Sequence, residues 1–141
     1  MSDSPSPLHE IELEIRWGDM DALGHVNNAT YFTYFEQVRI AWLQSIGRGT
    51  SVGGTQGSGP VVVNAFCNFR RAVVYPARLR VAMHGGTPGR SSFETYYEIR
   101  DADDPELVYA TGSAKVVWVD RETSRSMRVP DEIRALLPVG E

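Results

Sequence analysis

The chain of 141 residues has a single cysteine, Cys67, which excludes an intrachain disulfide or a site built from several thiolates. Its histidines, His9, His25 and His84, are too few and too scattered to suggest a zinc site. No apolar stretch approaches the ~20 residues that cross a bilayer. The first residues, Met1 to Pro7, are polar and rich in Ser and Pro, without a hydrophobic signal region. There is no long basic block: the net charge of −4 is spread along the chain, which argues against a nucleic-acid partner. Internal repeats and linkers are also lacking. The expectation is a cytoplasmic protein with a disordered start at residues 1–8 and one domain over residues 9–138. What is present is an ordinary globular composition, 42% hydrophobic and 23% charged. A chain of this length buries roughly 68–70% of its unfolded surface and needs no covalent staple.

The most informative stretch runs from Arg16 to Tyr31, RWGDMDALGHVNNATY. It places two carboxylates, a glycine turn, a histidine and two asparagines ahead of an amphipathic run. Tyr31, Phe32, Phe35, Val38, Ala41, Trp42 and Ile46 recur at spacings near three and four, which predicts one long helix over Tyr31–Ile46. Asn27 or Asn28 suits the N-cap, because its side chain accepts from an otherwise unpaired N–H. Gly47 stands where a glycine ends a helix. A carboxylate beside the N–H groups of a helix start can attack a carbonyl, since those N–H groups stabilise the charge that develops.

Around this run the period is two. Ile11, Leu13, Ile15 and Trp17 alternate with polar residues, which predicts a strand over His9–Trp17 with one buried face. Gly49 to Gly59 is a Gly/Ser/Thr-rich segment expected to be a mobile loop, either a lid or an untethered surface loop. Four more strands are expected over Val61–Arg70, Leu79–His84, Ser92–Arg100 and Leu107–Val119, paired in series as an antiparallel meander. Pro130–Leu137 can close the chain as a short helix. One apolar helix and one large sheet must bury each other, so the fold class is α+β, with a curved five-stranded sheet around a central helix.

In Asp19-Met20-Asp21-Ala22-Leu23-Gly24-His25-Val26-Asn27-Asn28, followed by Tyr31, Phe35-Glu36 and Arg39, the chain resembles the hotdog-fold acyl-CoA thioesterases of the 4-hydroxybenzoyl-CoA thioesterase type, in particular their broad acyl-CoA branch. Phe69-Arg70-Arg71, Tyr75-Pro76-Ala77, Gly89-Arg90-Ser91-Ser92 and Ala110-Thr111-Gly112 follow in the same order, so the resemblance spans roughly Glu10 to Leu137. It implies hydrolysis of an acyl-CoA thioester to a free acid and CoA, without metal or organic cofactor. It also implies assembly as homodimers or homotetramers with acyl-CoA between subunits, and no membrane partner. Asp21 matches the catalytic aspartate, and Asn28 the helix-start position whose backbone N–H polarises the thioester carbonyl. The turn Ala22-Leu23-Gly24-His25 departs from the Pro-Ala-Gly type of aryl-specific members, which favours acyl chains generally. Hydrolysis of acyl-carrier-protein thioesters and a non-catalytic acyl-CoA-binding module are the rival readings.

The remaining residues fall around this pair. An Asp beside Gly commonly bonds its own backbone, and Asp21 can be both turn-former and base or nucleophile. Asp19 is expected to be a turn or capping partner. His25 is grouped with the catalytic residues, either holding the loop around Asp21 or moving a proton. Asn27 braces the helix start or touches substrate; Tyr31 packs in the core or lines the acyl pocket. Glu36 and Arg39, three apart on the helix, are expected to pair with each other or with sheet groups. Arg70, Arg71, Arg90 and Lys115 are candidates for the CoA phosphates. Arg90 leads them, because the turn at Arg90 and Ser91 combines a cation with exposed N–H groups. Cys67 reads as a small buried hydrophobe.

Overall fold

In the computed structural model, residues 6–47 and 57–139 are described. The elements are β1 (His9–Glu14), a 3-10 turn (Trp17–Asp19), α1 (Asn28–Ser45), β2 (Ser58–Phe69), β3 (Arg78–Gly85), β4 (Ser92–Asp101), β5 (Val108–Asp120) and α2 (Asp131–Arg134). Most of the Gly49–Gly59 segment, and the chain before Ser6, lie outside the described residues.

The five strands form one antiparallel sheet in the order β1-β3-β4-β5-β2, and α1 packs across one face. This is the expected hotdog architecture. The pairing corrects the expected meander: only β3, β4 and β5 follow one another, and β2 lies beside β5 from Ser58↔Asp120 to Phe69↔Ala110. β1 and β2 are therefore the two edges.

α1 begins earlier than the apolar spacing alone indicated, because Asn27 caps it: its side-chain oxygen accepts from the Ala29 N–H at 2.8 Å. The buried stripe is Tyr31, Tyr34, Phe35, Val38, Trp42 and Leu43. It is turned slightly from the expected face, so that Phe32, Ala41 and Ile46 are only half-buried. The opposing sheet face carries Leu79, Val81 and Met83 from β3, Phe93, Tyr97 and Ile99 from β4, and Ala110, Ala114, Val116 and Trp118 from β5. Each such large side chain contributes about 1.5–3 kcal/mol of burial. The small residues of β5 let the helix approach. Phe35 stacks on Tyr97 with centroids 4.6 Å apart. A Cβ on Gly112 would run into the Phe35 ring and lie 2.6 Å from the Phe66 carbonyl oxygen. Gly112→Ala is therefore expected to cost about 1–3 kcal/mol in denaturant unfolding, as overpacking against backbone does.

β1 is shorter than expected. It ends at Glu14, and Trp17, placed by alternation on the buried face, is instead 73% exposed in the 3-10 turn. The cause is local: the Asp19 carboxylate accepts the Arg16 N–H at 3.0 Å and folds the chain out of the strand. α2 follows Pro130, which sits at its N-cap rather than inside its first turn.

β2 differs from its neighbours. Its outer edge is unpaired among the described residues, and Val61, Val62, Val63, Phe66 and Phe69 are all exposed, with Val63 at a register shift in the ladder. A long apolar edge of this kind is a template for another chain.

Candidate active site

The loop before α1 is a tight hairpin. Met20 and Val26 form an isolated bridge, the Asp21 N–H donates to the His25 carbonyl at 2.9 Å, and the Gly24 N–H donates back to the Asp21 carbonyl at 3.0 Å. Gly24 takes φ +85°, a conformation that costs a side-chain-bearing residue. Two further bonds fix the loop to the body: Val26 N–H to the Val73 carbonyl at 2.9 Å, and Asn27 N–H to the Asp19 carbonyl at 3.0 Å.

This hairpin sends its two aspartates to opposite sides. Asp19 turns toward the β1–α1 groove, where it accepts the Tyr34 hydroxyl at 2.8 Å and the Arg16 N–H, with Arg16 Nε at 3.4 Å. Burial raises the Asp19 pKa, but the Arg16 N–H, the Tyr34 hydroxyl and the Arg16 charge outweigh it and hold the carboxyl below its ordinary 3.8. Burial, then the Asp19 carboxylate, push the Tyr34 phenol up. Asp19 is structural, as expected; the Tyr34 partner was not foreseen, although a buried tyrosine hydroxyl demands one. A depressed folded-state pKa stabilises the fold above the unfolded value, and that stability is lost as pH falls through the folded value. Asp19→Asn is expected to cost about 1.5–3 kcal/mol at neutral pH. It should also remove this group's share of the acid-induced loss below pH 3.8, both read from denaturant melts across the acid range.

Asp21 turns the other way. Its Oδ1 accepts the Leu23 N–H at 2.9 Å, and Oδ2 has no hydrogen-bond partner among the described residues. It lines a cleft of about 250 Å³ together with Leu23, His25, Val26, Asn28, Tyr31, Phe69, Arg70, Arg71 and Ala72. Asn28 is the first residue of α1, and among the described residues its N–H has no acceptor: Asn27 Oδ1 serves Ala29, and the Asn27 carbonyl serves Thr30. An unpaired N–H at the positive end of an 18-residue helix thus shares a cleft with a carboxylate oxygen left free. Tyr31 is both core and wall: it is 2% exposed, meets Phe69 edge-on at 4.9 Å, and has its phenol pushed up by burial. Arg70 and Arg71 turn off the end of β2 with both N–H groups on the Tyr109 carbonyl, at 2.9 and 3.1 Å, and bring two guanidinium-bearing side chains to the cleft.

The cleft therefore gathers Asp21, His25, Asn28, Tyr31 and Arg70. His25 holds the loop through its backbone carbonyl, while its exposed ring has no partner among the described residues. Asn27 lies outside the cleft, its side-chain oxygen spent on the cap. Arg90 and Ser91 also lie outside the cleft of their own chain: their carbonyls accept from Val129 and Trp118 N–H groups, which ties that turn to the other end of β5. Lys115 lies on β5 opposite Asn64 and Glu94, away from the cleft. Leu23 and Phe69 are walls too; both fall within the quoted motifs, but neither carries a predicted role in the site. Burial pushes the Cys67 thiol up to about 11, which leaves it un-ionised near neutral pH.

A larger hollow, about 870 Å³, lies on the outer sheet face among Arg80, His84, Tyr96, Glu98 and Arg100. Its Glu98 is held by Arg100 at 3.0 Å, and no helix start reaches it. Size alone would favour it, but the helix start and the Asp21 carboxylate line the smaller cleft. Among the described residues no His, Cys, Asp or Glu side chains cluster as a metal site, and no helix is long and apolar enough to cross a membrane.

A curved sheet around one helix, with a carboxylate loop at the helix start, defines the class. The chain belongs to the thioesterase-like superfamily, whose sequence pattern matches residues 15–137. Among solved structures, the PA2801 protein of Pseudomonas aeruginosa, a candidate thioesterase, is 38% identical, with 92% of this chain and 98% of that one covered and a TM-score of 0.85. A candidate acyl-CoA thioesterase of Xanthomonas campestris, XC229, is 30% identical over 88% of this chain and all of that one (100%), with a TM-score of 0.77. The chloroplast acyl-acyl carrier protein thioesterase ATL3 of Arabidopsis thaliana is 27% identical over 134 residues, 92% of this chain and 67% of its own length. These relatives and the superfamily support thioester hydrolysis as the activity.

Proposed function

We propose that the chain hydrolyses acyl-CoA thioesters, with Asp21 as base or nucleophile and the Asn28 N–H as the oxyanion donor. The observation that carries this reading is that one cleft is lined by both Asn28 and Asp21, whose N–H and Oδ2 have no hydrogen-bond partner among the described residues. A thioester carbonyl between them is polarised by the N–H and by the dipole of α1. Along one route, Asp21 attacks the carbonyl carbon and the C–S bond breaks. A mixed anhydride forms, and water then cleaves it. Along the other, Asp21 takes a proton from water as the water attacks, and the tetrahedral intermediate expels the thiolate. Both routes end in a carboxylic acid and free CoA thiol, and neither calls for a metal or organic cofactor. Arg70 and Arg71 suit the CoA phosphates, because guanidinium matches phosphate oxygens in a bidentate way.

The exposed β2 edge supports assembly with a second copy of the chain through that strand. Such a pairing brings a neighbour to the open side of the cleft beside Phe69, and Arg90 and Ser91 would serve CoA only from a neighbouring copy. Similarity to ATL3 supports the carrier-protein reading. The two readings separate in one comparison: the same acyl group presented on CoA and on acyl carrier protein, with free thiol followed over time. Higher kcat/KM on CoA is expected. A preference for the carrier protein by about tenfold or more would replace the substrate while leaving the site chemistry intact.

A further inference from the structure

A second hollow, about 290 Å³, continues the seam between α1 and β2. Phe32, Phe35, Val62 and Ala65 give it apolar walls, and Glu36 and Arg39 line it as well. Asn28, Phe32, Phe35 and Arg39 recur at helical spacing, so they share one face of α1. Arg39 stands eleven residues beyond Asn28, a rise of about 16 Å. On β2 the first cleft uses Phe69, and the second hollow uses Ala65 and Val62. An acyl group whose carbonyl sits at Asp21 and Asn28 and which follows this seam ends beside Arg39.

Arg39 is seated differently from the other arginines. Its Nη1 donates to the Tyr97 hydroxyl at 3.0 Å. Thr95 Oγ1 lies 2.7 Å from that hydroxyl and donates its own hydrogen to the Ala114 carbonyl at 2.9 Å. Thr95 has one hydrogen to give, so Tyr97 must donate to Thr95 and accept from Arg39. The polar chain thus runs in one direction, from Arg39 through Tyr97 and Thr95 to Ala114. Tyr97 and Thr95 are 1% and 0% exposed, which braces the guanidinium from below. Glu36 does not pair with it. Among the described residues no carboxylate lies within ion-pair distance of Arg39, and no acceptor other than Tyr97 meets its N–H groups. Arg39 is thus a half-buried cation with donors unspent, set beside the apolar walls of Phe32, Phe35, Val62 and Ala65.

Resting on the thioesterase reading above, we infer that the acyl group carries an oxygen function near the end remote from the thioester, and that Arg39 receives it. Glu36 selects the kind. A hydroxyl accepts from Arg39 and donates to Glu36, whereas a carboxylate gains Arg39 and meets the like charge of Glu36. Hydroxylated acyl groups are therefore preferred over carboxylated ones, and both over plain alkyl chains.

The test is kcat/KM on matched CoA thioesters from hexanoyl to dodecanoyl, each as the plain, ω-hydroxy and ω-carboxy form, with wild type, Arg39→Met and Glu36→Gln. Wild type is expected to favour the ω-hydroxy form over the plain chain by about tenfold or more at the length that spans the seam. Arg39→Met should reduce that ratio to near unity. Glu36→Gln, at an exposed position that leaves the core intact, should move the preference toward the ω-carboxy form. Equal rates on plain and oxygenated chains at every length would overturn the inference. So would ratios that survive Arg39→Met, or an Arg39→Met variant whose main defect is dissociation of an oligomer. Failure to hydrolyse any CoA thioester would instead count against the thioesterase reading. In that case calorimetric binding of ω-hydroxydecanoic against decanoic acid decides the subsite: tighter binding of the hydroxy acid supports it, and equal binding overturns it.

Discussion

Asp21→Asn is expected to fold like the wild type and to lose turnover by about 10²–10⁴-fold. Asn keeps the side-chain oxygen that accepts the Leu23 N–H, so the hairpin closes as before. What it loses is the negative charge of a carboxylate that lines the cleft. An amide oxygen neither takes a proton from water near neutral pH nor attacks a thioester. The effect should fall on kcat, because the substrate is held by the walls and the arginines, with KM changing little. Asp19 supplies the control two residues away. Its carboxylate is occupied by Tyr34 and Arg16, so Asp19→Asn should appear in the unfolding curve as loss of stability. Equal turnover in Asp21→Asn and wild type on a proven substrate would remove Asp21 from the chemistry.

Asn28→Pro should lower kcat by about 10²–10³-fold, the size of losing one oxyanion donor. Proline is normally a crude change, but here the position suits it. Residue 28 is the first of α1, where proline is favoured because that N–H has no helical partner. Asn27 before it has ψ 138°, extended rather than helical and within the roughly +120 to +160° that a following proline favours. The cap from Asn27 to Ala29 does not involve the deleted atom. The substitution therefore removes one hydrogen-bond donor and the Asn side chain while the helix stays in place. Asn28→Ala isolates the side chain, since the N–H survives, and should lie within about tenfold of wild type. If Pro and Ala behave alike and both stay active, the N–H is not the oxyanion donor. If Ala is as damaging as Asp21→Asn, the side chain itself acts.

How far these features could be read in advance depended on how local they are. The strand at β4 and the helix at α1 rest on period and β-branching within a few residues, and both were legible. The start of α1 was set by Asn27, a single capping side chain. The alternation through Trp17 continued in the sequence after the strand had stopped, because one carboxylate at Asp19 closes a turn that periodicity does not register. The partner of β2 was not legible: choosing β5 over β3 is a contact between residues some fifty positions apart, such as Val62 with Val116. The site divides in the same way. Asp21, His25 and Asn28 lie within eight consecutive residues, so their grouping in one cleft follows the chain itself. Arg90 and Ser91 looked equally suitable as an anion-binding turn, yet the sheet carries that turn away from the cleft of its own chain. Phe69, Arg71 and Leu23 enter the cleft only because the β2 exit and the hairpin meet there.

The most direct test of the central claim is release of free thiol from short, medium, long and aromatic acyl-CoAs by wild type and Asp21→Asn, run side by side on folded protein. The account predicts hydrolysis of at least one class by the wild type and its loss in the variant. Equal release by both proteins, or none from any acyl-CoA by the wild type, would contradict it.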